Sequence, residues 1–164
     1  MSKKAAVIMG SDSDLDTMRP CIARLKAFGI PVEVHIISAH RTPAAAERFA
    51  SSAKENGFGV IIAAAGKAAH LAGVLAAYTT LPVIGVPIKT SMMGGLYSLL
   101  SMVQMPKGIP VACVAVDGAD NAAVLAAQMM ALSDEALGDK LEQFKASMAA
   151  EVELKDQKLQ SEAL

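Results

Sequence analysis

The sequence has no tryptophan, two tyrosines and four phenylalanines, so aromatic residues make up only 4% of its 164 residues. Ligand pockets that hold a flat ring system such as a flavin are rich in aromatic side chains, and this chain supplies few of them. It also lacks a surplus of positive charge, since 15 Lys and Arg residues face 16 Asp and Glu residues. We therefore expect no nucleic-acid partner, because a phosphate backbone is bound through excess Lys and Arg. Charged residues are sparse at 19% and hydrophobic ones reach 53%, which excludes an intrinsically disordered chain.

Several motifs of metal and cofactor chemistry are also missing. The three histidines and two cysteines show no spacing typical of a zinc site. There is no GxGxxG fingerprint and no GxxxxGKS/T loop, which argues against a dinucleotide and a nucleoside triphosphate. Cys21 and Cys113 lie far apart in the sequence, as expected of two reduced, buried thiols. We predict a protein that uses neither a metal nor an organic cofactor.

Signals for export and membrane insertion are weak. The first residues are basic like the start of a signal peptide, but the apolar run Ala5–Met9 is too short for its core. The longest uncharged stretch, Ala68–Ile88, has membrane-spanning length but contains a histidine, two threonines and two prolines. We interpret it as a buried helix, a turn and a buried strand, and we expect a cytoplasmic protein with no membrane partner.

Short runs rich in valine, isoleucine and alanine alternate with helical patterns along most of the chain. The predicted strands are Ala5–Met9, Val32–Ile37, Val60–Ala64, Val83–Val86 and Val111–Val116. The predicted helices are Asp14–Phe28, Pro43–Asn56, Ala68–Tyr78, Gly95–Gln104 and Ala119–Leu132. Most strands are apolar throughout, which is typical of a parallel sheet covered on both faces, whereas VEVHII alternates and is expected at an edge. The pattern predicts a three-layer αβα, flavodoxin-like, doubly wound parallel sheet of five strands in the order 2-1-3-4-5.

The length corresponds to one domain, at roughly 100–200 residues per domain. Residues 1–132 are predicted to form its flavodoxin-like part, and residues 133–164 a more charged helical tail of the same domain. The tail has apolar residues at spacings of three and four, namely Leu137, Leu141, Phe144, Met148 and Val152. This stripe packs either on a neighbouring subunit or on its own domain, and the pattern leaves both open. The high apolar content of so small a chain favours surfaces buried between subunits.

In open α/β sheets, ligands bind at the carboxyl ends of the strands, so the loops there are informative. The loop after the first strand is GSDSD, at Gly10–Asp14. The hydroxyls of Ser11 and Ser13 and the following helix N-terminus offer donors to an anion, and the Asp14 carboxylate suits sugar hydroxyls. Serine and aspartate also cap helices routinely, so this loop alone does not separate ligand binding from capping.

The loop after the second strand, SAHRTP at Ser38–Pro43, is a stronger signal. Arg41 stands beside a helix start with the Ser38 hydroxyl close by, which suits a phosphate clamp. His40 stands at the same end of the strand, and imidazole exchanges protons near neutral pH. The pairing of His40 with Arg41 favours a functional over a structural histidine.

The loop after the third strand consists mostly of small residues, which let the backbone approach a ligand closely. It comprises Ala65, Gly66, Lys67, Ala68, Ala69, His70 and Leu71. His70 either faces the ligand or caps the next helix. The loop after the fourth strand, Pro87–Gly95, is long enough for a flap, although ordinary connections have the same composition. The residues alone thus predict a cofactor-free phosphosugar or nucleotide site with a histidine acid/base.

Five segments in unchanged order, from about residue 5 to about residue 132, resemble the N5-carboxyaminoimidazole ribonucleotide mutases, the class I PurE-type enzymes of bacterial purine biosynthesis. These segments are GSDSD, SAHRTP, AGKAAHLAG, PVIGVPI and SLLSMVQMPKGIPVACVAV. The resemblance implies a flavodoxin-like fold, a homo-octamer and no metal or organic cofactor. It also implies an isomerase that moves a carboxylate from the exocyclic nitrogen to carbon 4 of an imidazole ring, through enclosed decarboxylation and recarboxylation.

The resemblance further implies roles for individual residues. His40 would be the general acid/base that relays the proton. The substrate-binding residues would be Ser11, Ser13, Asp14, Ser38, Arg41, Ala65, Gly66, Lys67, Ala68, Ala69, His70 and Leu71. Among them, the serines and Arg41 would hold the phosphate, Asp14 the ribose hydroxyls, and the 65–71 loop the base and carboxylate.

Three residues depart from the family pattern. Lys67 occupies a position where the family commonly has glycine, Ala72 one where it has proline, and Tyr97 one where it has aspartate. A cation at Lys67 bears on carboxylate affinity, since it stands near the pocket. The nearest alternative function is direct CO2-dependent carboxylation of aminoimidazole ribonucleotide, whose enzymes tend to have Lys where this chain has Arg41. The alternative from another class is a non-enzymatic flavodoxin-like ligand-binding module. A phosphoacceptor receiver of that class would need an aspartate after the third strand, where this chain has Ala64-Ala65-Gly66.

Overall fold

Five parallel strands form one sheet in the order β2-β1-β3-β4-β5, which confirms the predicted topology. A computed structural model describes residues 3–162, and residues 1–2 and 163–164, at the outer ends of the predicted domain and tail, lie outside the described residues. The strands are β1 (Lys4–Met9), β2 (Val32–Ile36), β3 (Phe58–Ala65), β4 (Val83–Pro87) and β5 (Ala112–Cys113). The helices are α1 (Leu15–Ala27), α2 (Pro43–Ala53), α3 (Leu71–Ala77), α4 (Leu96–Val103), α5 (Ala119–Ala131) and α6 (Glu135–Ser161).

Two hydrophobic cores cover the two faces of the sheet, as the apolar strands require. Successive side chains of a strand point to opposite faces. Val7 and Ile62 accordingly pack with α1 and α5, whereas Ile8 and Ile61 pack with α2 and α3. This arrangement is the predicted three-layer αβα fold. The strand VEVHI, at Val32–Ile36, lies at the edge of the sheet as expected from its alternating pattern.

The fifth strand is much shorter than predicted, since the prediction of Val111–Val116 extends well beyond Ala112–Cys113. β5 is an edge strand that pairs only with β4. The β4 strand ends at Pro87, which has no N–H to donate, so the ladder stops there. The stretch predicted as helix, turn and strand is confirmed by α3 and β4. Within residues 3–162, no helix combines the length and apolar character needed to cross a membrane.

The tail helix α6 packs on its own domain over its first half. Leu137 is buried in the core beside α5, and the Phe144 ring stands edge-on to the Phe28 ring at 5.5 Å between centroids. The Lys140 ammonium donates to the Phe28 carbonyl at 2.8 Å, which ties the tail to the end of α1. Farther along the stripe, Met148 and Val152 are exposed in the single chain. Of the two arrangements that the sequence leaves open, packing on its own domain therefore holds for the stripe from Leu137 to Phe144.

Candidate active site

The loops that follow β1, β2, β3 and β4 surround a cleft of about 750 Å³ at the carboxyl edge of the sheet. Parallel strands bring these loops to one edge, which is why residues far apart in the sequence meet there. All the site residues predicted from the sequence line this cleft except Ala69 and His70. Ala69 is fully buried in the core between the sheet, α2 and α3, so its side chain is directed away from the cleft.

The loop after β2 is a tight turn that presents His40 and Arg41 to the cleft. The Thr42 hydroxyl accepts from the Ser38 N–H and donates to the Ser38 carbonyl, both at 3.0 Å. The Thr42 N–H donates to the same carbonyl at 2.8 Å, and Pro43 then begins α2, where a missing N–H has no cost. The turn thereby satisfies its own backbone hydrogen bonds, and the side chains of His40 and Arg41 line the cleft.

Arg41 connects the loops that follow β1 and β2. Its Nη2 donates to the Gly10 carbonyl at 3.2 Å, and its Nε lies 3.4 Å from the Ser38 hydroxyl oxygen. The Arg41 N–H also donates to that hydroxyl, at 3.1 Å. A guanidinium has five donors, so these contacts fix its position and leave donors for an anion.

The loop after β1 combines helix capping with cleft lining, the two interpretations that its sequence leaves open. The Ser11 hydroxyl accepts from the Ser13 N–H at 3.3 Å and caps a short 3-10 turn at Asp12–Asp14. The Ser13 hydroxyl donates to the Ser11 hydroxyl at 2.9 Å, and both side chains line the cleft. Burial raises the pKa of the Asp14 carboxyl, and hydrogen bonds from Ser13 and Ser11 counteract part of that effect.

His40 is paired with His70, which comes from the loop after β3. The His40 Nε2 and the His70 Nδ1 are 2.9 Å apart, and the two rings meet edge to face. One nitrogen of this pair donates and the other accepts, so only one proton lies between the rings. His70 precedes α3 but makes no side-chain cap bond, so its role in the structure is to contact the acid/base candidate rather than to cap the helix.

Lys67 has an unusual backbone conformation on the cleft wall. Its φ angle is 55°, in the left-handed region that side chains other than those of Asn, Asp and His seldom adopt. Gly66, just before it, lies close to the loop after β4, since a Cβ there would stand 3.1 Å from the Thr90 methyl carbon. A residue larger than glycine would therefore require the Thr90 side chain to move by a few tenths of an ångström.

The sequence-based site omitted the cleft residues of the loop after β4, namely Ile88, Lys89, Thr90 and Ser91. This loop is held in place by the segment that follows β5, because the Lys89 N–H donates to the Asp117 carboxylate at 2.8 Å. Asp117 itself has a φ of 56°, and its N–H donates to the Pro87 carbonyl at 2.8 Å. The available signal was the lysine and the two hydroxyls that directly follow a buried strand.

The charges around the cleft suit an anionic ligand. Three cationic side chains line it, those of Arg41, Lys67 and Lys89, against the single carboxylate of Asp14. Ser11, Ser13 and Ser38 line the side formed by the loops after β1 and β2, and His40 lies on the same wall. Within residues 3–162, no three His, Cys, Asp or Glu side chains come together in a group that could hold a metal ion. The fold and the site together define a flavodoxin-like α/β protein with a cation-rich cleft at the carboxyl edge of its sheet and a histidine on the cleft wall.

The chain belongs to the AIR carboxylase family, whose pattern matches residues 4–151. It is 52% identical over 154 residues to the N5-carboxyaminoimidazole ribonucleotide mutase of Pyrococcus horikoshii, covering 94% of this chain and 87% of that one. The same-named protein of Thermotoga maritima is 49% identical over 157 residues, with 96% and 92% covered. The crystal structure of Treponema denticola PurE is similar with a TM-score of 0.86 at 28% identity, over 96% of this chain and 98% of that one. The family resemblance stated from the sequence segments is confirmed.

Proposed function

We propose that this protein is an isomerase of de novo purine biosynthesis that converts N5-carboxyaminoimidazole ribonucleotide to 4-carboxy-5-aminoimidazole ribonucleotide. The observation that carries the proposal is the position of His40, on the wall of an anion-binding cleft and within 2.9 Å of a second imidazole. The proposal is also supported by sequence identity: proteins named as this mutase share about 50% of their residues with the chain, over most of the length of both.

The reaction breaks one N–C bond and one C–H bond, forms one C–C bond and one N–H bond, and uses no net proton. The bond between the exocyclic nitrogen and the carboxylate carbon breaks, CO2 departs, and protonated His40 gives the nitrogen a proton. Carbon 4 of the ring then attacks the CO2, and the proton displaced from carbon 4 returns to His40. A single imidazole serves both steps because it is an acid and a base near neutral pH.

The remaining cleft residues bind and orient the nucleotide in this proposal. Arg41 and the serine hydroxyls hold the phosphate, which is supported by the hydrogen bonds that tie Arg41 to the loops after β1 and β2. Asp14 accepts from the ribose hydroxyls. The 65–71 loop holds the base, with the methyl groups of Ala65 and Ala68 as apolar surface beside CO2.

The proposal is tested with the purified protein and 4-carboxy-5-aminoimidazole ribonucleotide, the product, in the reverse direction. Ultraviolet absorbance follows its loss at low bicarbonate, with and without ATP and metal ions. We expect loss that needs neither addition. A forward assay at varied bicarbonate then separates the mutase from a direct carboxylase, whose rate would rise with bicarbonate. No absorbance change in either direction would overturn the proposal, and a yellow purified protein would instead favour the flavin-carrying module.

We also propose that the protein works as a cytoplasmic homo-octamer. Leu96, Leu100 and Val103 lie at helical spacing on α4 and are 41%, 43% and 49% exposed in the single chain. An apolar stripe of this kind on a small protein is typical of a subunit interface. The exposed end of the tail stripe offers a second such surface.

Replacing Leu100 by glutamate is expected to reduce the assembly to smaller species, because a charge in the middle of a buried apolar stripe is strongly unfavourable. Sedimentation equilibrium measures the mass independently of shape. Gln128→Glu, an exposed position on α5, adds the same charge away from the stripe and should leave the mass unchanged. If Leu100→Glu sediments like the wild type, α4 is not a subunit contact.

A further inference from the structure

Lys67 has the backbone conformation of a glycine, although it carries a long cationic side chain. Its φ of 55° lies in the left-handed region, which is unfavourable for a residue that has a Cβ. Its side chain is exposed on the cleft wall, and within residues 3–162 its ammonium makes neither a hydrogen bond nor an ion pair. Backbone strain that is retained without a protein partner is typical of a residue that serves a ligand.

The cations of the cleft are divided between its two sides. Arg41 is bound to the Gly10 carbonyl and the Ser38 hydroxyl, so it belongs to the loops after β1 and β2. Lys67 stands on the loop after β3, three residues before His70, which contacts the acid/base candidate. Lys89, the third cation of the cleft, lies on the loop after β4. A ligand that spans both sides therefore meets Arg41 at one side and Lys67 and Lys89 at the other. Of these two lysines, Lys67 is the one that shares its loop with His70.

We propose that Lys67 binds the migrating carboxylate and makes the site prefer carboxylated over decarboxylated nucleotides. This inference rests on the proposed function, which supplies a ligand with a phosphate at one end and a carboxylate at the other. Substrate and product both carry the carboxylate, whereas aminoimidazole ribonucleotide carries only the phosphate. A cation near the reacting groups strengthens the binding of the first two and contributes little to the third.

Calorimetry with two ligands tests the inference. The dissociation constants of 4-carboxy-5-aminoimidazole ribonucleotide and of aminoimidazole ribonucleotide are measured for the wild type, Lys67→Gly and Lys67→Asn. Glycine and asparagine both tolerate a positive φ and both remove the charge. We expect the preference for the carboxylated nucleotide to fall about fivefold in both variants, the size of a partly exposed charge pair. Lys67→Arg should keep the preference, since it keeps the cation.

Lys26→Gln is the matched control, because it removes one positive charge from an exposed position at the far end of α1. It should leave the preference unchanged. If the Lys67 variants lose affinity for both nucleotides by the same factor, Lys67 binds the phosphate and the inference is wrong. If they lose affinity for neither, Lys67 has no role in binding. A wild-type protein that binds neither nucleotide would overturn the proposed function itself, and this inference with it.

Discussion

Replacing His40 by glutamine is expected to lower the turnover number by about 10²- to 10⁴-fold, the usual contribution of a general acid/base. Glutamine places its amide near the position of the imidazole Nε2, so it can keep the hydrogen bond to His70 but cannot exchange protons. His40 is exposed and its side-chain contact is with His70, so the fold should lose little stability. Binding of the carboxylated nucleotide should stay within a few-fold of the wild type.

The absorbance assay gives the turnover number, and calorimetry with the product gives the affinity of the same variant. His35→Gln is the matched control, since His35 is on β2 and its ring packs against Phe49, away from the cleft lining. It should turn over at the wild-type rate. Near-wild-type turnover in His40→Gln would remove His40 from the mechanism. A parallel loss of affinity and turnover would assign it to binding instead.

The sequence was sufficient to predict that distant loops form one site, because that outcome depends on topology. Strands that are apolar throughout indicate a parallel sheet, and parallel strands end at a common edge. Ser38, Arg41 and Lys67 therefore had to lie near one another once their strands were assigned. The tight turn at Ser38–Thr42 follows from local chemistry as well, since a threonine hydroxyl closes it four residues later.

The direction of individual side chains could not be predicted in the same way. α3 begins at Leu71 rather than Ala68, because residues 68–70 form a turn closed by the His70 N–H to the Ala68 carbonyl at 2.9 Å. That turn buries Ala69 and directs His70 toward His40. The contact between the two histidines joins positions 30 residues apart and depends on side-chain orientation, for which periodicity carries no signal.

Contacts that hold the cleft loops in place from outside the sequence motifs could not be predicted either. Asp117 holds the loop after β4 through the Lys89 N–H, although it follows the short edge strand β5 and belongs to no predicted site. The packing of the tail could not be predicted from the sequence for the same reason, because its apolar residues recur at the same spacings along the whole stripe. The contacts of Leu137 and Phe144 with the core, seen only in the structure, separate the part of the stripe that packs on its own domain from the exposed end at Met148 and Val152.

Replacing Arg41 by alanine is expected to raise the Michaelis constant about 10- to 100-fold with little change in the turnover number. Hydrogen bonds to a charged group contribute about 1.5–3 kcal/mol, and a phosphate clamp holds ground state and transition state alike. The Gly10 carbonyl and the Ser38 hydroxyl hold the Arg41 guanidinium in place. Alanine removes that positioned group, so we expect the loss of substrate affinity to come from the guanidinium. Arg41→Lys should recover only part of the affinity, since an ammonium lacks the planar fork that makes these contacts together.

Competition by inorganic phosphate identifies which part of the nucleotide Arg41 holds. If Arg41 is the phosphate clamp, phosphate should inhibit the wild type competitively and inhibit Arg41→Ala much more weakly. Arg48→Ala, an exposed position on α2 away from the cleft lining, removes the same group and should change neither the Michaelis constant nor the inhibition. A Michaelis constant that stays unchanged in Arg41→Ala would contradict the clamp. A raised Michaelis constant with normal phosphate inhibition would mean that Arg41 recognises another part of the substrate, and the phosphate would then have to be held by the serine hydroxyls of the loop after β1.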